Sequence, residues 1–188
     1  ANRKGRAIRF NESKVRTMGR TATGVKGMTL DNDGMDEVIG MICVHADEPE
    51  NILVVSEQGY GKRSLLEDYR VTNRGGKGVK TINVTEKTGK LVSIKSVTDE
   101  NDLMIIYKSG MTIRIKVADL RVMGRATQGV RIINLEKRND QIASVCKVNS
   151  EEEEEELLNE NGIVSEIAET DMDINNEVQN EENNESNQ

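Results

Sequence analysis

A glycine-led segment that recurs three times constrains this chain more than any other feature. GVKGMTL beginning at Gly24 returns as GVKTINV at Gly78 and GVRIINL at Gly129, at spacings of 54 and 51 residues. Other positions keep step with these glycines. Gly5, Gly59 and Gly110 lie nineteen residues earlier, and Arg9, Arg63 and Arg114 fifteen earlier. Arg16, Arg70 and Arg121 lie eight before, Arg20, Arg74 and Arg125 four before, and Lys26, Lys80 and Arg131 two after. Register held at so many places defines one structural unit used three times, each copy burying apolar surface against its neighbour.

Each unit has the signature of β-structure. An apolar run (Ile52 to Val55, Leu103 to Ile106) leads through a polar turn to a second strand, clearest in TIRIKV at 112–117, where Ile113 and Ile115 alternate with Arg114 and Lys116. Alternation with period two, rich in Val, Ile and Thr and bounded by glycines, is a hairpin pattern. A Gly-rich turn then leads to a third strand with Met28 and Leu30, Ile82 and Val84, and Ile133 and Leu135 facing inward. A fourth apolar run closes the unit at 38–41, 91–94 and 142–145. Four short strands per unit predict an all-β chain of propeller-like blades. The units are expected at 1–42, 43–94 and 95–148, the first truncated because only four residues precede Gly5, with a tail at 149–188. A missing first strand leaves an edge unpaired, which predicts marginal stability or association.

Charge divides the chain the same way. Residues 151–188 hold fifteen acids and no Lys or Arg, while 1–150 hold the other 18 acids and all 26 basic residues. The net charge of -7 is therefore a body of +8 joined to a tail of -15. That asymmetry points to a polyanion-binding body with an interaction tail; a merely solvated surface is the alternative. Asn-, Glu- and Ser-rich composition predicts that the tail is disordered. Cys43 and Cys146, each inside an apolar run, are expected as buried free thiols in a reducing compartment. No apolar run approaches membrane-spanning length, so the expected location is the cytoplasm.

The turns are basic as well as glycine-rich. Tight turns need residues that tolerate positive φ, whatever their function, but this does not explain Arg20, Arg74, Lys77 and Arg125 beside them. Guanidinium forks and turn N–H groups can approach phosphate oxygens together. Such contacts position a duplex without reading its sequence. Arginines that merely pair with nearby acids are the alternative. The second-strand residues Arg9, Arg63 and Arg114 are expected at the surface, Arg9 and Arg114 because their neighbours Ile8 and Phe10, and Ile113 and Ile115, take the opposite face. Lys26, Lys80 and Arg131 share strand parity with Met28, Ile82 and Ile133, so they reach solvent only at a strand mouth or through a bulge. The stretch SEQGYGKRS at 56–64 misses the spacing of a nucleotide-phosphate loop. With His45 the only histidine, no His-based metal cluster or nucleophilic triad can form. No catalytic or metal-binding residue is assigned.

The segments VRTMGRTATGVKGMTL (15–30), YRVTNRGGKGVKTI (69–82) and RVMGRATQGVRIINL (121–135), with GYGKRS at 59–64, resemble the C-terminal domain of DNA gyrase A across essentially all of 1–148. The resemblance implies a β-pinwheel, a disc of about six blades whose basic rim wraps DNA, with three terminal blades present here. It implies sequence-tolerant double-stranded DNA as partner, together with the rest of gyrase A and gyrase B in the bacterial cytoplasm, at the nucleoid. ATP and Mg²⁺ are then used by the holoenzyme, with no cofactor in this fragment, and wrapping supports negative supercoiling. The family's wrapping box, QRRGGRG, is matched in part by Asn73-Arg74-Gly75-Gly76-Lys77-Gly78, with Asn where Arg is usual, so the resemblance places the full box upstream. The A-type subunit of topoisomerase IV and a protein-interaction β-repeat with a basic rim remain alternatives. The tail resembles acidic extensions of the family and is expected to compete with DNA for the rim. Deleting 151–188 should therefore raise DNA affinity at fixed salt in a titration with labelled duplex, and unchanged binding would remove the competition.

Overall fold

The structure is a computed structural model, and it describes residues 1–45, 50–135 and 140–150. The expected tail lies outside the described residues beyond Ser150. Among the described residues nine strands follow in order: β1 (Arg6–Ala7), β2 (Asn51–Ser56), β3 (Tyr60–Leu65), β4 (Val79–Lys80), β5 (Leu91–Val97), β6 (Asn101–Tyr107), β7 (Thr112–Lys116), β8 (Val130–Arg131) and β9 (Ile142–Asn149). Single 3₁₀ turns at Glu12–Lys14, Leu66–Asp68 and Val117–Asp119 mark the same place in each unit. Among the described residues no helix is long and apolar enough to cross a membrane.

The blades are not built from one unit each. β2 and β3 form a hairpin in which Leu53 faces Arg63 and Val55 faces Gly61, and β5 of the same unit adds to the far side of β2. The fourth strand of that sheet is β8, from the next unit, with Gly61 opposite Val130 and Tyr60 opposite Arg131. The first joint repeats the exchange, because β1 pairs with β4 through Arg6–Lys80 and Ala7–Val79. The second and third units thus lend their third strands to the preceding blade. The last sheet is three-stranded in the order β7-β6-β9, so β7 is an edge. The expectation of four strands within every unit is corrected accordingly: the third strand is two residues long and belongs to the neighbour.

The sandwiching of blades explains the apolar runs. In β2, Ile52 and Val54 join a cluster with Ala7, Leu66, Tyr69, Ile82, Leu91 and Ile94, while Leu53 and Val55 join a second with Leu103, Ile105, Val117, Leu120 and Ile142. A strand with neighbours on both faces is apolar at every position, as the run ILVV requires. The expected inward residues Met28, Ile82 and Leu135 are buried. The cysteines are not: Cys43 and Cys146 are both exposed. In β9 only Ile142 and Val145 are buried, and Cys146 just beyond them is exposed; Cys43 lies between the half-buried Ile42 and Val44.

Candidate nucleic-acid interface

Two glycines make each joint. Gly78 and Gly129 open the lent strands at φ of 73° and 82°. A Cβ on Gly129 would lie 2.7 Å from the Gly61 carbonyl oxygen, and one on Gly78 would press on the carbonyl oxygen of Ala7. On the other side of each joint, a Cβ on Gly5 would stand 2.8 Å from the Ile82 carbonyl oxygen, and one on Gly59 would stand 2.7 Å from that of Ile133. Each carbonyl of this second pair of glycines accepts two consecutive N–H groups. Gly5 O takes Thr81 and Ile82 at 2.8 and 3.4 Å, and Gly59 O takes Ile132 and Ile133 at 2.9 and 3.3 Å. Two residues set against one form a bulge, which flips the side-chain parity of the strand beyond it. Lys80 and Arg131 are therefore exposed although Ile82 behind the first bulge is fully buried. The bulge resolves the parity conflict in the sequence, and Lys26 at the same place in the first unit is exposed too. Arg131 also reaches the Tyr60 hydroxyl at 3.1 Å and stacks over its ring, with its guanidinium 5.6 Å from the ring centre.

The second-strand arginines are used differently from the expectation. Arg63 is 5 % exposed; its Nε donates to Leu120 O at 2.8 Å and its Nη1 pairs with Asp99. Arg9 occupies the same place one unit earlier and donates to the carbonyl oxygens of Leu66 and Tyr69 at 3.0 and 3.2 Å. Both latch one blade to the 3₁₀ turn of the next, and parallel bridges Arg9–Val71 and Arg63–Val122 run alongside. Arg114, on the edge strand, pairs instead with the buried Asp102 at 2.8 Å. Arg63 is thus buried and its expected placement at an outer rim is corrected, while Arg9 and Arg114 are half-buried. β3 is buried along most of its length, so Arg63 points into the adjoining blade, not into water.

The turn arginines are half committed. Arg74 bridges the carbonyl oxygens of Lys14 and Lys26 at 3.0 and 3.2 Å, and Arg125 bridges those of Asp68 and Lys80, both at 2.9 Å. These are equivalent bonds in successive units, and both arginines are partly exposed. Arg16, Arg20, Arg70, Lys77 and Arg121 are exposed. A hollow of about 300 Å³ between the first two units is lined in part by Ile8, Arg9, Arg70, Asn73 and Lys77. Among the described residues no group of three His, Cys, Asp or Glu side chains is placed to hold a metal.

Lys62 was missed by sequence reasoning. It is fully buried, and its Nζ donates to the carbonyl oxygens of Gly124, Arg125 and Thr127 at 2.6, 2.5 and 3.2 Å and to the Thr127 hydroxyl at 3.0 Å. Burial pushes its ammonium down to about 8, against the attraction of Asp68 and with a further push from Arg125. The repeat carried the signal: the matching positions hold Ile8 and Ile113, so a lysine stands where its copies are apolar.

The family model described as DNA gyrase C-terminal domain, beta-propeller, matches residues 1–45, 50–98 and 101–149. DNA gyrase A of Staphylococcus aureus strain MRSA252 is 51% identical over 159 residues, covering 85% of this chain and 18% of that protein. That of strain NCTC 8325 is 52% identical over 149 residues, covering 79% and 16%. The chain thus spans less than a fifth of the length of these relatives. Among solved structures, the C-terminal domain of DNA topoisomerase IV superposes with a TM-score of 0.71 at 26% identity, over 80% of this chain and 46% of that one. The DNA gyrase A C-terminal domain superposes with a TM-score of 0.65 at 28% identity, over 78% and 48%. With three matched segments that follow the three repeats, and carbonyl latches and glycine joints repeated between them, the chain belongs to the DNA gyrase C-terminal domain family.

Proposed function

We propose that this chain is a DNA-wrapping module of a type IIA topoisomerase of the gyrase A kind. In that reading it carries none of the holoenzyme's chemistry and works with the rest of gyrase A and with gyrase B, in the bacterial cytoplasm. ATP and Mg²⁺ act on those other parts, and wrapping supports the introduction of negative supercoils. The gyrase reading is favoured over topoisomerase IV by identities of 51 and 52% to gyrase A chains. The observation that carries DNA binding is the recurrence of exposed cations once per unit: Arg16, Arg70 and Arg121 at one place, Lys26, Lys80 and Arg131 at another. Cations repeated at the spacing of blades supply phosphate contacts that follow the backbone and ignore sequence.

Salt dependence tests the reading. The chain should bind unrelated duplexes alike, with affinity falling linearly on a log–log plot against salt. Replacing Arg16, Arg70 and Arg121 together by alanine should reduce that slope by about 3 and weaken binding similarly on every sequence. Tight, salt-insensitive binding to a protein partner, with no affinity for duplex DNA, would support the interaction-module alternative instead.

A further inference from the structure

We propose that Lys62 is a buried positioning cation for DNA binding, which sets the shape of the 124–127 turn from behind by holding its carbonyl oxygens. The proposal rests on the DNA-binding reading above. It starts from an unusual arrangement: an ammonium with no exposed surface, bonded to four neutral oxygens from one short stretch of chain and, among the described residues, to no carboxylate. Carbonyls of a turn normally face water or pair with N–H groups. Here three of them converge on one cation carried by β3 of the preceding blade.

The turn so held is the one that presents Arg125 and follows Arg121. Arg125 itself reaches back to Asp68 O and Lys80 O, so Lys62 and Arg125 both tie this loop to the second unit. At the first joint Ile8 stands in the place of Lys62. A Cβ on Gly76 would meet its Cδ1 at 3.6 Å, so the equivalent turn at 73–76 rests on an apolar side chain. The two turns are thus differently supported, one pinned by charge and one by packing. The charged groups acting on Lys62 are Asp68, which favours its ammonium, and Arg125, which opposes it. Loss of the proton leaves an amine with two N–H donors for four oxygens and removes one positive charge from beneath the loop.

Folding and turn geometry then respond to pH with opposite signs. The native ammonium gives up its proton at about 8 and the unfolded one near 10.5. The unfolded chain therefore binds more protons across that interval, and this group makes folding stability rise with pH. The turn nevertheless loosens and DNA affinity falls.

The experiment follows duplex binding by the 188-residue chain at fixed ionic strength from about pH 7 to 9.5, beside amide hydrogen exchange corrected for the intrinsic pH effect. The wild type should lose about tenfold in affinity, with exchange at 124–129 accelerating more than at 73–78. Lys62→Met should start about tenfold weaker at pH 7 and lack the tenfold fall of the wild type; subtracting its profile removes the contribution of every other titrating group. Equal affinity of Lys62→Met and the wild type, or a wild-type profile as flat as the variant's, overturns the proposal. If the variant does not fold, exchange in the wild type decides alone: an unchanged ratio of 124–129 to 73–78 across the pH range overturns it. A wild type that binds no duplex at any pH refutes the DNA reading instead, while the exchange data still judge the pin.

Discussion

Gly129→Ala should unfold the joint between the second and third blades, whereas Gly24→Ala, at the same place in the first unit, should be tolerated. The two glycines have nearly the same backbone, with φ of 82° and 86°. An alanine at either loses about 1 kcal/mol to the left-handed conformation. Only the space differs. Nothing lies within 4 Å of a Cβ on Gly24, whereas one on Gly129 would sit 2.7 Å from the Gly61 carbonyl oxygen and 3.1 Å from its carbon. Those atoms belong to β3, in the middle of the four-stranded sheet, and cannot withdraw without breaking the pairing of Gly61 with Val55 and Val130. The clash should add about 3 kcal/mol, a large share of the stability of a domain this size. Thermal denaturation of the two variants side by side checks this. Equal shifts in Tm would show that backbone conformation, not close approach, governs the site.

Arg63→Met should cost about 3 kcal/mol of stability, while Arg121→Ala should leave stability within about 0.5 kcal/mol and weaken DNA binding. The two arginines lie on neighbouring stretches of the same joint, since the carbonyl of Arg63 accepts the N–H of Met123 and its own N–H donates to Arg121 O. Their side chains diverge. Arg63 is inside, satisfying Leu120 O and pairing with Asp99, so its removal strands a buried carbonyl. Arg121 is outside. Urea titration and duplex binding of both variants separate the roles: a loss of DNA affinity in Arg63→Met at full folding, with none in Arg121→Ala, would invert the assignment.

Much of the fold was legible in the chain. Glycines in register at 54 and 51 residues marked the units, period-two alternation in 112–117 marked a strand, and the apolar run at 52–55 marked the first strand of a hairpin. The basic character of the body and the recurrence of Arg16, Arg70 and Arg121 were equally plain. The choice among cations was not. Arg9 and Arg114 looked like surface residues because alternation sets them apart from apolar neighbours, and Arg63 because it keeps their register; alternation assumes that one face of the strand meets water. Lys80 and Arg131 looked compromised because parity assumes an unbroken strand.

The sequence by itself determined the three-unit β architecture, the recurring glycines and the family. Local pattern and repeat spacing encode these directly. Only the tertiary structure decided where each cation is spent, because that depends on groups supplied by another unit. Leu120 O for Arg63, Leu66 O for Arg9 and the 124–127 carbonyls for Lys62 all lie more than fifty residues away. Packing between blades covers both faces of β2 and makes latches of Arg9 and Arg63, and the lent strands are bulged so that Lys80 and Arg131 reach solvent. The same repeat that announces the blades thus cannot say which of its arginines face DNA, since each copy's surroundings are made by the next copy.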